Sequence, residues 1–272
     1  MSRILYLVAF LSVLVGASAE PPPAPAGWKL VWSDEFDHDG PPDPAKWAYD
    51  VGTGHEGWGN HELQFYTEAR RENARVEQGH LVIEARREPW QGRAYTSARL
   101  VTKGHADWTH GRFEIRARLP LGRGTWPAIW LLPTVWNLGN GGWPDNGEID
   151  IMEHVGYDPG LIHASTHSQK NQWRNQNQRT ATLAVPDAGT AFHTYVLEWD
   201  AEEIRMYVDD RPYFTSRKAG GDWTSWPFTR NFHLVLNLAI GGDWGGARGV
   251  DDAAFPGRME VDYVRVYQEA AR

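Results

Sequence analysis

Three carboxylates stand within six residues in Glu148-Ile149-Asp150-Ile151-Met152-Glu153. They are interleaved with apolar side chains, not with the lysines and glutamines of an exposed charge run. Glu148, Ile149, Asp150 and Ile151 alternate acid and apolar, the period of a strand with one face buried, so Glu148 and Asp150 share a face. Glu153 breaks that period, and a regular strand would turn it into the core, where an unpaired carboxylate is costly. One extra residue at Met152, a β-bulge near Ile151 and Met152, returns Glu153 to the face of the other two acids. Three acids with no adjacent Lys or Arg repel one another, which raises at least one pKa and suits a general acid working near neutral pH. The competing readings are a surface strand with scattered acids and a cation site, since carboxylate oxygens suit calcium.

The surroundings favour catalysis. The chain carries 15 tryptophans. Trp58, Trp136, Trp143, Trp223, Trp226 and Trp244 sit beside Gly, Asn, Asp, Ser or Pro, where loops cross a surface. Flat rings near a surface stack on the C–H faces of sugars, although tryptophan also fills large β cores. Two carboxylates flanking a bond in an aromatic-lined groove are the machinery of glycoside hydrolysis. A carboxyl separation of ~5–5.5 Å implies retention of configuration and a wider one inversion. Four effective strand steps separate Glu148 from Glu153, ~13 Å between Cα atoms on a flat strand. A curved strand and leaning side chains must close that gap, with Asp150 between the two.

Many short strands must position these groups. Trp28–Trp32, Leu81–Arg86, Tyr95–Lys103 and Arg112–Leu119 read as strands, the last with Phe113, Ile115, Ala117 and Leu119 inward. Pro127–Leu132 is short and wholly apolar, which predicts a strand buried on both faces. Leu161–His167, Thr194–Trp199, Glu203–Val208, Phe232–Ala239 and Met259–Tyr267 complete the set. Residues 52–67 and the Gly-Gly-Asp-Trp-Gly-Gly run at 241–246 read as loops rich in binding groups. No segment sustains a helical apolar period. One all-β domain over residues 27–272, a sandwich or barrel, follows.

Composition narrows the partners. Arg3, the apolar run 4–16 and Ala17-Ser18-Ala19 read as a signal peptide over 1–19, followed by a Pro-rich linker over 20–26. Secretion to the periplasm or the exterior is expected, with no further membrane span. There is no cysteine, so a core of about 250 residues must stand without disulfides, and any metal must use oxygen or histidine ligands. The 27 basic and 35 acidic residues leave a net charge of −8, and no basic patch with interleaved aromatics suggests nucleic acid. His163 and His167 lack a helical HExxH setting and a third ligand, which argues against zinc.

The motifs together resemble the family 16 glycoside hydrolases, in particular the laminarinase-like endo-β-1,3-glucanases. The resemblance covers nearly all of the mature chain and centres on Trp143-Pro-Asp-Asn-Gly-Glu-Ile-Asp-Ile-Met-Glu153. Trp58-Gly-Asn-His-Glu-Leu-Gln-Phe-Tyr-Thr67, Tyr95-Thr-Ser-Ala-Arg-Leu-Val-Thr-Lys103 and Gly111-Arg-Phe-Glu support it. So do Gly124-Thr-Trp-Pro-Ala-Ile-Trp-Leu-Leu132, Asn237-Leu-Ala-Ile-Gly-Gly-Asp-Trp244 and Val261-Asp-Tyr-Val-Arg-Val-Tyr267. The resemblance implies a concanavalin A-like β-jelly-roll sandwich of two antiparallel sheets with a concave groove. It implies retention, with Glu148 as nucleophile, Glu153 as acid/base and Asp150 assisting. It places Trp126, Trp130, Trp143 and Trp244 in or beside the cleft, Asn60, Glu62 and Arg99 against sugar hydroxyls, and His167 near the catalytic centre. No cofactor is expected for catalysis; a structural calcium at Glu35, Gly79 and Asp262 on the convex side, held partly through backbone oxygens, is. A monomer acting on a polysaccharide is expected.

His61, Asp145-Asn146 and the polar run after His167 depart from the usual pattern. They touch the groove rim, so linkage preference stays open between β-1,3-glucan, mixed-linkage β-glucan and other polymers. A non-catalytic glucan-binding relative is the reading from a different class; retention of all three acids speaks against it.

Overall fold

The computed structural model describes residues 23–270. The expected signal peptide (1–19) and the first part of the Pro-rich linker (20–22) lie outside the described residues. In chain order the strands are β1 (Trp28–Asp34), β2 (Ala48–Tyr49), β3 (Gln64–Tyr66), β4 (Ala74–Glu77), β5 (His80–Trp90) and β6 (Arg93–Ser97). Next come β7 (Arg99–Val101), β8 (Gly111–Arg118), β9 (Thr125–Pro133), β10 (Glu148–Glu153), β11 (Leu161–His167) and β12 (Arg179–Ala184). The last are β13 (His193–Trp199), β14 (Glu203–Val208), β15 (Arg211–Arg217), β16 (Phe232–Ile240) and β17 (Gly257–Glu269).

They form two sheets, one of ten strands and one of seven. The larger runs β15-β14-β13-β8-β17-β5-β6-β3, with β1 on β17 and β4 on β5; the smaller runs β12-β11-β10-β9-β16-β7-β2. Alternating side chains fill the space between them. Phe113 and Ile115 of β8, Leu81 and Ile83 of β5 and Val264 and Val266 of β17 meet Ile129 and Leu131 of β9, Ile149 of β10 and Leu234, Leu236 and Leu238 of β16. This burial of apolar side chains on one face of each sheet holds the sandwich together. It also leaves the second face of the seven-stranded sheet free to carry β10's acids.

Several elements differ from the sequence reading. The segment Tyr95–Lys103 is two strands, not one: β6 pairs in the larger sheet and β7 pairs β16 and β2 in the smaller. The chain changes sheets at Ala98, which is fully buried. The apolar β9 is not buried on both faces. Ile129 and Leu131 enter the core, whereas Trp126, Trp130 and Leu132 are half-open, because only one layer covers this sheet. The loop over residues 52–67 contains a tight turn at Gly57–His61 and β3, which pairs β6 in parallel within otherwise antiparallel sheets. The sequence reading also missed β2, β4, β12 and β15. The first two are very short, β12 is polar on alternate positions, and β15 is an edge strand that tolerates Pro212.

Candidate active site

The bulge expected between Asp150 and Glu153 is present. On one side Asp150 pairs with Trp130 and Met152 with Ile129; on the other Asp150 pairs with Ser165 and Glu153 with His163. Ile151 is the residue of β10 without a partner on either neighbour, so the inserted residue is Ile151 and not Met152. Ile151 and Met152 both enter the core, fully buried. Two consecutive inward side chains restore Glu153 to the face of Glu148 and Asp150. The strand begins immediately after Gly147, whose φ is +87° and where a Cβ would stand 2.7 Å from Pro227 Cγ; only glycine fits there.

Each outer glutamate is held by one indole. Trp143 Nε1 donates to Glu148 Oε2 at 3.0 Å, and Trp126 Nε1 donates to Glu153 Oε1 at 3.0 Å. Asp150 lies between them, buried, with its Oδ2 3.2 Å from His167 Nε2, which is itself 3.8 Å from Glu148 Oε1. The Asp150–His167 contact is close in charge terms but lacks hydrogen-bond geometry: Asp150 Oδ2 is buried with no hydrogen-bond partner.

The electrostatics follow from burial and crowding. Burial first, then the Asp150 charge, pushes Glu148 well above the usual carboxylate range, against a lowering by His167. Burial first, then Glu153, does the same to Asp150. Burial raises Glu153, and the Trp126 N–H pulls it back. Three interacting acids titrate as a set. A proton is favoured on Asp150, the most enclosed of the three, because there ionisation loses the most solvation. On Glu148 the His167 charge and the Trp143 N–H both act against the rise, favouring its ionised form.

A second polar cluster adjoins Glu153. Glu62 is buried and raised by that burial, with Arg99 as its chief counter-charge, and it in turn raises Glu153. Its carboxylate accepts from Gln64 Nε2 at 2.5 Å, Tyr66 OH at 3.2 Å and Asn60 Nδ2 at 3.4 Å. The Arg99 guanidinium stacks between Trp58 and Trp130, 4.5 and 4.8 Å from their ring centres, and donates to Asp50 at 2.9 Å. Asn237 joins the two groups, accepting from Trp130 Nε1 at 2.7 Å and donating to Tyr66 OH at 3.0 Å.

The loops are tied over this end of the site. Asp243 N donates to Asn60 O at 2.8 Å, and the His61 ring meets Asp243 at 2.9 Å. Trp244 packs edge-on against Trp126, 5.5 Å between centres, and His163 against Trp244 at 4.9 Å. At the other end Trp173 lies 6.4 Å from Trp143, and Arg174 stacks on both rings.

The structure thus brings Glu148, Asp150, Glu153, Asn60, Glu62, Arg99, Trp126, Trp130, Trp143, His167 and Trp244 into one connected region. The sequence reading missed the parts played by Asp50, Tyr66, Asn237, Trp173 and Arg174. A detectable signal existed for Asn237: a lone amide in an otherwise apolar, fully buried strand must bond to something. His154 turns away from the acids; it is buried, accepts from Gly160 N at 3.2 Å and is pushed down to about 4 by burial.

Glu35, Gly79 and Asp262 do not gather carboxylate oxygens for calcium. Arg265 chelates Glu35 through two bonds of 2.9 and 2.7 Å, and Arg116 holds Asp262, with His80 3.6 Å away. Side-chain oxygens already neutralised by arginine do not fit a hard dication, so the side chains of Glu35 and Asp262 give the calcium expectation no support. Among the described residues, the atoms close enough to share an ion are one each from Glu148, Asp150 and His167, all within 4.8 Å of one another.

Residues 61–265 match the model of glycosyl hydrolases family 16. The chain is 56% identical to a beta-glucanase of Rhodothermus marinus over 98% of this chain and 96% of that protein. It is 39% identical to a glucan endo-1,3-beta-glucosidase of Cryptopygus antarcticus over 89% of this chain and 93% of the other. The X-ray structure of the laminarinase from Rhodothermus marinus superposes with a TM-score of 0.87 at 57% identity, covering 90% of this chain and 98% of that one. With two acids on one face of a bulged strand, a family match across most of the chain and a shared jelly-roll sandwich, the chain belongs to glycosyl hydrolases family 16 and is a glycoside hydrolase.

Proposed function

We propose that the chain is an exported, retaining endo-β-1,3-glucanase that acts by double displacement. The observation that carries the mechanism is the bulged β10, which presents Glu148 and Glu153 on one face with an indole N–H fixed to each. Glu148 attacks the anomeric carbon while Glu153 gives its proton to the departing glycosidic oxygen. Glu153, now a carboxylate, takes a proton from water as that water attacks the anomeric carbon; the carbon–oxygen bond to Glu148 breaks and Glu148 leaves as a carboxylate. Burial-raised Glu153 suits the first step, and the Trp126 N–H suits the second by stabilising the carboxylate. A proton held on Asp150 removes the neighbouring charge that raises Glu148, which keeps the nucleophile's charge tolerable.

The relatives described above as a beta-glucanase, a glucan endo-1,3-beta-glucosidase and a laminarinase support a polysaccharide substrate and, more finely, β-1,3-glucan. Arg3, the apolar run 4–16 and the Ala17-Ser18-Ala19 site support export. The test is turnover of laminarin and lichenan with NMR of the first anomer released. Laminarin cleavage giving the β-anomer first is expected, and Glu148→Ala and Glu153→Ala should each cut the rate by orders of magnitude while glucan binding survives. An intact laminarin with cut lichenan would overturn the linkage; near-normal turnover in either variant would overturn the roles.

A further inference from the structure

The bulge that aligns the acids must itself be held. A bulge leaves backbone groups outside the ladder, and a one-residue slip of β10 would regain that pairing while turning Glu153 toward the core. Ile151 is the residue with no ladder partner. Its carbonyl accepts a hydrogen bond of 2.6 Å from the hydroxyl of Tyr213. Tyr213 belongs to β15, the edge strand of the opposite sheet, so this bond crosses the sandwich. Its ring packs against the core, and the preceding Pro212 stiffens the edge strand. Tyr195, on β13 of the same sheet, gives the contrast: it is fully buried and its hydroxyl has no hydrogen-bond partner.

We infer that Tyr213 is a positioning residue for catalysis: its hydroxyl secures the Ile151 carbonyl in the bulged register and so sets where Glu153 stands relative to Trp126 and Glu148. The inference rests on the reading of Glu153 as acid/base. Tyr213 does not reach the open face. It acts through the backbone, by making the bulged register the one in which every buried carbonyl has a donor. The ten-stranded sheet thereby helps to position acids carried by a strand of the other sheet.

The test exploits leaving-group chemistry. A sugar hydroxylate needs the proton from Glu153 to depart, whereas dinitrophenolate does not. Tyr213→Phe keeps the ring and removes the hydroxyl. In kcat/KM on laminarin it is expected to lose about 10- to 100-fold, the cost of an unsatisfied buried carbonyl, with KM little changed. On a dinitrophenyl laminaribioside the loss in kcat/KM should stay below about threefold, because general acid help is not needed there. Tyr195→Phe, which removes a buried hydroxyl bonded to nothing, should match the parent on both substrates. Glu153→Ala is run alongside as the benchmark for the leaving-group split. Equal losses on both substrates in Tyr213→Phe, no loss on laminarin, or a chain that no longer folds would overturn the positioning role. If Glu153→Ala itself shows no split, the acid/base assignment falls and the inference with it.

Discussion

Replacing Trp126 with Phe tests how the acid is tuned. The change removes one donor, the indole N–H 3.0 Å from Glu153 Oε1, and leaves an aromatic face in the site. That N–H is the largest influence opposing the burial that raises Glu153. A hydrogen bond to a charged group contributes about 1.5–3 kcal/mol, and one pKa unit corresponds to about 1.36 kcal/mol. Because the glutamate, though mostly enclosed, keeps part of its surface open to solvent, the lower end applies, and Glu153 should rise by about one unit. The sign follows from its proposed role as acid/base. Glu153 must be protonated for the first step, so a higher pKa keeps it active to higher pH, and the basic limb of kcat/KM against pH moves up by about one unit. The second step needs the carboxylate that the N–H had stabilised, so kcat falls below that limb. The assay is initial rates on laminarin across the pH range, with KM measured at each pH to separate lost stacking from altered ionisation. A basic limb that stays in place or moves down would refute this account of Trp126.

Two further expectations concern charge. His167 favours the ionised form of Glu148 from 3.8 Å, so His167→Asn should raise the nucleophile's pKa and move the acid limb of kcat/KM to higher pH, opposite in limb to the tryptophan variant. Glu84 is buried on the larger sheet, where it takes Arg75 Nη2 and Arg258 Nε at 2.9 Å each and also Arg86. Glu84→Gln leaves the buried Arg75 under-compensated and should cost about 3 kcal/mol in denaturant melts with KM unchanged; an unaltered midpoint would show that this cluster carries no stability.

The legible part of the site was the part written in local period. Alternation in Glu148–Ile151 and the misfit at Glu153 announced a bulge before any coordinates, because a strand's side chains must alternate and a buried acid is costly. The inserted residue was misplaced by one, since Ile151 and Met152 are equally apolar and only the cross-strand register separates them. The strand at Tyr95–Lys103 hid its change of sheet, because no Gly or Pro marks Ala98, where the hydrogen-bond partners change. The apolar β9 looked enclosed, yet its tryptophans form part of an open face. Arginines remote in sequence took up the carboxylates expected to hold calcium.

The sequence by itself determined the class of fold, the three acids and their shared face, and the aromatic character of what surrounds them, because these depend on side-chain type and short-range period. Only the tertiary structure decided which indole serves which glutamate, that Arg99 stacks between Trp58 and Trp130, that Asn237 links Trp130 to Tyr66, and that Tyr213 reaches Ile151 from the opposite sheet. Apart from Trp143 and Glu148, five positions apart, those contacts join residues from 27 to 171 positions apart. They exist because packing two sheets fixes distances that no local pattern encodes.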